Sequence, residues 1–140
     1  MENIIQHLHS GLAYLVLLLL VVAVIDSALG FFSKKEFTDK DKKIGLFALG
    51  VTHLQIVIGF VLYFLSPLGF ASLGDMKNAT LRLTSLEHPL INLIAVVLIT
   101  IGWVKHKKIE NSNSKFKTLF LYYGVGLLLI LSRIPWSLWI

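Results

Sequence analysis

Cysteine is missing from this chain of 140 residues. Its absence removes disulfides, iron–sulfur ligation, thiolate metal sites and the Cys-x-x-Cys-His attachment of c-type haem. Any metal or haem must then be held by histidine or carboxylate, with Met1 and Met76 the remaining sulfur donors. The chain also has no glycine-rich phosphate loop, no Ser-x-x-Lys pair, no nucleophile elbow and no His-Glu-x-x-His zinc motif. These residues offer no hydrolase. No internal repeat is visible, and the length leaves room for a single domain over residues 1–140.

Charge is scarce too, at 15% of residues against 56% hydrophobic, with mean hydropathy +0.77. A soluble domain of this size buries only part of its surface and could not hide so much apolar area. Residues 3–25, 44–74 and 88–104 contain no Lys, Arg, Asp or Glu, and residues 118–140 contain only Arg133. A spanning helix needs ~20 mostly apolar residues, and its backbone polar groups must be satisfied internally. The expected fold is therefore all-α: an integral membrane up-down four-helix bundle, with helices at about 4–32, 43–66, 85–104 and 116–134. The first span is too long for a signal h-region and lacks a basic n-region, so it reads as a retained helix. Thr84 and Glu87 have the spacing of a capping box, with Pro89 in the first turn of the third helix. Trp136 and Trp139 suit an interfacial belt.

Orientation follows from lysine and arginine. The connections SKKEFTDKDKK and KHKKIENSNSKFK carry five lysines each, whereas the other side has Lys77, Arg82 and Arg133. This bias places both lysine-rich loops in the cytoplasm and both termini on the outer, periplasmic side of a bacterial inner membrane. It also accounts for the net charge of +5 without a nucleic-acid partner.

The histidines can then be given depths from the helical rise. His9 falls roughly two turns, and His88 one turn, inside the outer ends of the first and third spans. Both spans run inward, so both side chains tilt outward, and in an up-down bundle these helices are diagonal. Two imidazoles facing each other at one level is the geometry that ligates one haem iron from both sides. His53 lies ~13 Å from the inner end of the second span, near mid-membrane and below that level, and is a second-choice ligand. His106 reads as a solvated loop residue, and His7, two positions from His9, faces away on a helix.

The neighbours fit a cofactor. Asn92 is one turn from His88 on the same face, and Gly11, Gly50, Gly124 and Gly126 leave room for a flat macrocycle. Arg133 and Arg82 lie near the outer level, where haem propionates would meet a guanidinium. Blander readings stand beside these. Histidines near a membrane end can bond backbone carbonyls, membrane glycines serve helix packing, Arg133 can snorkel, and Glu87 can be a cap or a proton carrier.

The segments HLHSGL, HLQIVIGFVLYF and EHPL resemble small bacterial membrane proteins classed as cytochrome b-like. More distantly, the arrangement is similar to the four-helix units of cytochrome b561 and haem A synthase proteins. The resemblance implies a non-covalent b-type haem held by histidine, electron transfer in the inner membrane, and respiratory-chain or other membrane-protein partners, in a chain that can be a homo-oligomer. It carries over to His9, His53 and His88. The fourth span has no histidine, whereas many b561-type proteins use four, which argues against a two-haem arrangement. Such a chain is an electron carrier or a quinol-linked oxidoreductase subunit, and His53 with Gln55 or Asp26 is a candidate quinone or proton site.

The alternative is a non-redox membrane subunit or a transition-metal carrier. If residues 6–9 were extended, His7 and His9 would share one side and form, with His88, a three-imidazole site for copper or zinc. The charge bias also makes the topology testable. A reporter fused at Lys108 should be active in the cytoplasm and one at the C-terminus outside it. A C-terminal fusion active only in the cytoplasm overturns the orientation.

Overall fold

The computed structural model describes residues 2–139. It contains α1 (Glu2–Ser33), α2 (Asp39–Leu65), α3 (Ala79–Lys107) and α4 (Ser112–Ser132), each long and apolar enough to cross a membrane. A last short turn, α5 (Trp136–Trp139), follows, and the described residues contain no strand. The chain is all-helical, with four membrane-length helices.

Three helices begin earlier than the hydropathy pattern suggests, because polar caps extend them beyond the apolar run. Asp41 accepts hydrogen bonds from the Thr38 N–H and hydroxyl, both at 2.9 Å, and lies 3.2 Å from Lys35 Nζ. This starts α2 at Asp39 rather than near Lys43. Asn111 Oδ1 accepts the Ser114 N–H at 3.0 Å and opens α4 at Ser112. Asn78 Oδ1 accepts the Leu81 N–H at 3.1 Å and opens α3 at Ala79. Each cap satisfies an N–H that the first turn leaves without a partner.

The early start of α3 corrects the reading of Thr84, Glu87 and Pro89. Thr84 is not a cap, since its hydroxyl bonds the Thr80 and Leu81 carbonyls one turn back. Pro89 therefore sits inside a continuous helix. It has no N–H for the Ser85 carbonyl, and its ring crowds that oxygen. The helix relaxes through a π-helical stretch at Leu83–Glu87, in which the His88 N–H reaches the Leu83 carbonyl. The Ser85 carbonyl accepts the Tyr63 hydroxyl of α2 instead, at 2.8 Å. Where α4 ends, the Leu131 carbonyl likewise finds a side-chain donor, accepting Trp136 Nε1 at 3.3 Å.

Around the bundle, α1 packs on α2 and α4, and α3 packs on α4 and α2. The pairs α1/α3 and α2/α4 are diagonal. The lysine-rich half is solid. Tyr123 and Phe116 are fully buried, and the Tyr123 hydroxyl donates to the Gly45 carbonyl at 2.8 Å. A Cβ on Gly30 would lie 2.5 Å from the Phe116 ring, so that glycine lets α1 and α4 close. Fully buried apolar side chains thin out beyond Val16 on α1, Leu49 on α2 and Ala95 on α3 toward the other end. That half is hollow.

If the Tyr63 hydroxyl replaces the donor that Pro89 lacks, Tyr63→Phe should destabilise the protein by about 1–3 kcal/mol, since it strands a shielded carbonyl. Unfolding in detergent measures this. A variant as stable as the parent would show that the Ser85 carbonyl needs no donor.

Candidate functional site

The hollow half holds a cavity of about 440 Å³, partly open to the surface, lined by all four long helices. This falls within the ~300–1,000 Å³ usual for small-molecule sites. His9, Gln55, Gly59, Tyr63, His88 and Asn92 are among its lining residues, and aliphatic side chains supply most of the rest.

His9 and His88 meet across the α1/α3 diagonal. Their ring centres are 6.3 Å apart and their planes stand at 80°. His88 Nδ1 lies 2.9 Å from the Arg133 carbonyl oxygen. A carbonyl only accepts, so Nδ1 carries the proton and Nε2 keeps the free lone pair. The Arg133 carbonyl is available because α4 ends at Ser132 and its last carbonyls lack helical donors. Asn92 Nδ2 donates to the His88 backbone carbonyl at 2.6 Å and also lies 3.1 Å from His88 Nδ1. With that ring nitrogen protonated, its bond is to the carbonyl.

His9 is held differently. Gln55 Nε2 donates to the His9 backbone carbonyl at 2.8 Å, so α2 grips the α1 main chain rather than the ring. His9 Nδ1 and Gln55 Oε1 are both buried without a hydrogen-bond partner. A Cβ on Gly59 would stand 3.2 Å from His9 Cε1. Gly59 therefore makes the space that the His9 ring occupies.

The other residues singled out in the sequence lie elsewhere. His53 is exposed on the outer face of α2 and pairs with Thr100 Oγ1 at 2.9 Å, and it does not line the cavity. Asp26 is half-buried near the lysine-rich end of α1, so of the His53, Gln55 and Asp26 set only Gln55 borders the cavity. Arg82 and Arg133 converge on Glu87, with Nε to carboxylate distances of 3.0 and 4.0 Å, and neither borders the cavity. Glu87 is thus an ion-pair partner rather than a helix cap.

His106 is a correction. It is buried in the last turn of α3, its Nδ1 bonded to the Trp103 carbonyl and its ring between Trp103 and Phe37. The apolar lysine stems and aromatic rings shield what hydropathy read as an open loop. The glycines are another. Gly11, Gly50 and Gly124 face open space, and a Cβ on Gly126 would meet Ile99 at 2.6 Å, so none makes room in the cavity. Gly59 does, and only its single-turn spacing below Tyr63 could have marked it. Residues 6–9 are helical, which turns the exposed His7 away from His9 and removes the extended segment behind a three-imidazole site. Among the described residues no three His, Cys, Asp or Glu side chains converge as a metal site, and Met1 lies outside those residues.

Nitrogen-15 spectra of histidine-labelled protein at neutral pH should show His88 as the Nδ1–H tautomer. An Nε2–H signal for His88 would contradict the bond to the Arg133 carbonyl.

Compared with protein-family models, with curated proteins and with solved structures, the chain has no match in any of the three.

Proposed function

We propose that this chain is a multi-pass protein of a bacterial inner membrane that binds b-type haem between His9 and His88 and carries electrons. The observation that carries the reading is the imidazole pair at the cavity. Two imidazoles that bind one metal from opposite sides at about 2 Å, with ring centres roughly 1 Å behind the ligand nitrogens, have centres about 6 Å apart. The observed separation is 6.3 Å. His88 offers a free Nε2 lone pair whose direction is fixed by its Nδ1–H bond to a carbonyl, the usual outer-shell support of a metal-binding imidazole. His9 offers a buried Nδ1 without a partner.

When bound, the haem would supply one-electron redox chemistry. The chain's residues would hold its two faces and exclude water. Gly59 leaves space for the His9 ring, Gln55 fixes the α1 backbone behind it, and Asn92 and the Arg133 carbonyl fix His88. Arg82 and Arg133 would attract propionates at the outer rim only in competition with Glu87. A membrane quinol is the electron donor we favour. Leu90, Leu93 and Phe60 border the cavity while exposing 41–49% of their surface, so an isoprenoid tail can reach it from the bilayer side.

Protein purified in detergent from haem-replete cells should carry protohaem with a low-spin, six-coordinate spectrum that sharpens on reduction. His9→Ala and His88→Ala should each yield high-spin or haem-free protein, because each removes one of the two imidazoles that would hold the haem. His7→Ala and His53→Ala should keep the low-spin spectrum. Colourless protein despite adequate haem supply would overturn the reading. Colourless protein with stoichiometric copper or zinc would replace it with the transition-metal carrier.

A further inference from the structure

A second concavity lies on the surface of the bundle, between α1 and α4. It is an open groove of about 320 Å³, lined by Val24 of α1 and, among others on α4, by Phe120, Leu121, Gly124 and Leu128. Every residue that lines it is apolar or glycine. Gly124 has nothing within 4 Å of a notional Cβ, so its missing side chain leaves an open notch in α4.

The groove leads toward a free cation at the lysine-rich end. Lys117, Leu121, Gly124 and Leu128 follow at intervals of four, three and four residues, which puts them on one stripe of α4. Lys35 faces Asp41 at 3.2 Å, and Lys115 donates to the His106 carbonyl at 2.9 Å. Lys117 is exposed and has no such partner among the described residues. No carboxylate on the two helices competes for it. α4 contains no Asp or Glu, and α1 beyond Glu2 has only Asp26. Asp26 is two positions from Val24, about 200° around the helix from the groove. Glu36 and Glu110 lie in the connections beyond the helix ends.

These dimensions and this charge suit a membrane lipid. Lys117 and Leu128 are eleven residues apart, ~16 Å of helix, and half of a bilayer's hydrocarbon core is ~15 Å. One acyl chain laid along the stripe therefore reaches from a headgroup at Lys117 to the midplane. A second copy of the chain suits it less. About a two-fold axis along the membrane normal, copies in one orientation would set Lys117 against Lys117.

We infer that this groove binds an anionic phospholipid, with an acyl chain beside Gly124 and the headgroup phosphate paired with Lys117. A lysine near the membrane surface attracts anionic headgroups, and its aliphatic stem lies along apolar surface while the ammonium reaches the headgroup level. A zwitterionic lipid brings the same chain but carries a compensating positive charge beside its phosphate. The inference rests on membrane insertion and not on haem.

The absence of cysteine allows a local readout. A bimane label is carried by Leu128→Cys at the end of the groove. As control it is carried by Leu18→Cys on an exposed stripe of α1, at a similar distance from the lysine-rich end. The labelled proteins are reconstituted into phosphatidylcholine vesicles, part of whose lipid is replaced by brominated-chain phosphatidylglycerol or brominated-chain phosphatidylcholine. At Leu128→Cys the anionic lipid should quench at a several-fold lower mole fraction than the zwitterionic one. At Leu18→Cys the two should quench alike. Lys117→Gln should abolish the preference at Leu128→Cys, and Gly124→Leu, which fills the notch, should weaken quenching by both lipids there. Equal quenching by the two lipids at Leu128→Cys, or a preference that survives both Lys117→Gln and Gly124→Leu, overturns the site. An equal preference at Leu18→Cys does so too, because a diffuse lysine belt then accounts for it. Oxidative dimerisation of unlabelled Leu128→Cys in native membranes would give the groove to a second copy instead. Chain that does not float with the vesicles would sink membrane insertion itself, a failure seen before any quencher is added.

Discussion

Carbonyl groups deprived of their helical donors organise the hollow half of this bundle. Pro89 cannot serve the Ser85 oxygen, and the end of α4 strands the Leu131 and Arg133 oxygens. Within a bilayer such groups would have no water to turn to. Each is met by a side chain from a neighbouring element: Tyr63 on α2, Trp136 beyond α4, and His88 on α3. These bonds tie α2 to α3 and α3 to α4 at one level. His88 is thereby fixed by the same rule that holds the helices together, and its remaining nitrogen points where the backbone requires.

That constraint also explains why the two halves of the molecule differ. At the lysine-rich end, Phe116, Tyr123 and Trp103 fill the centre, Gly30 and Gly45 let neighbouring helices press against those rings, and Gly102 makes room for Tyr122. At the other end the helices are held by hydrogen bonds at the rim, so the centre need not be packed to keep them together. A space lined mostly by aliphatic side chains, with two imidazoles and the three carboxamides of Gln6, Gln55 and Asn92, is the result. In such low-polarity surroundings a few polar groups act strongly on whatever lies between them.

Much of the fold was legible because it depends on long-range averages. Apolar runs marked four helices, and their uncharged lengths agreed with spans that end near lysines. Helix ends were read less well, since they depend on single caps at Thr38, Asn78 and Asn111 that extend a helix into polar sequence. Pro89 misled for a related reason. A proline near the start of an apolar run reads as a first-turn residue, and only the Asn78 cap, eleven residues earlier at the start of the same continuous helix, reveals it as an interior one. Counting helical rise located His9 and His88 at a shared level, because rise per residue is nearly constant. It could not show that His53 faces outward or that His106 is covered by Phe37 and Trp103, since rotation and long-range contacts do not follow from depth.

The two imidazoles at the cavity are not equivalent, and the difference bears on how an occupant would be received. His88 is pinned through Nδ1 to the main chain of α4, so its ring direction is set before anything binds. The His9 ring has no such anchor: Gln55 holds the backbone behind it, and the ring rests against the gap at Gly59 with Nδ1 unpartnered. A site with one fixed and one adjustable wall loses little conformational entropy on the fixed side and can adapt on the other. The adjustable wall is also the one whose ring nitrogen has no partner within the chain, so an occupant that bonds His9 would gain free energy largely by satisfying that buried group. Gly59, and not any residue that touches the ring polarly, sets how far that wall can move.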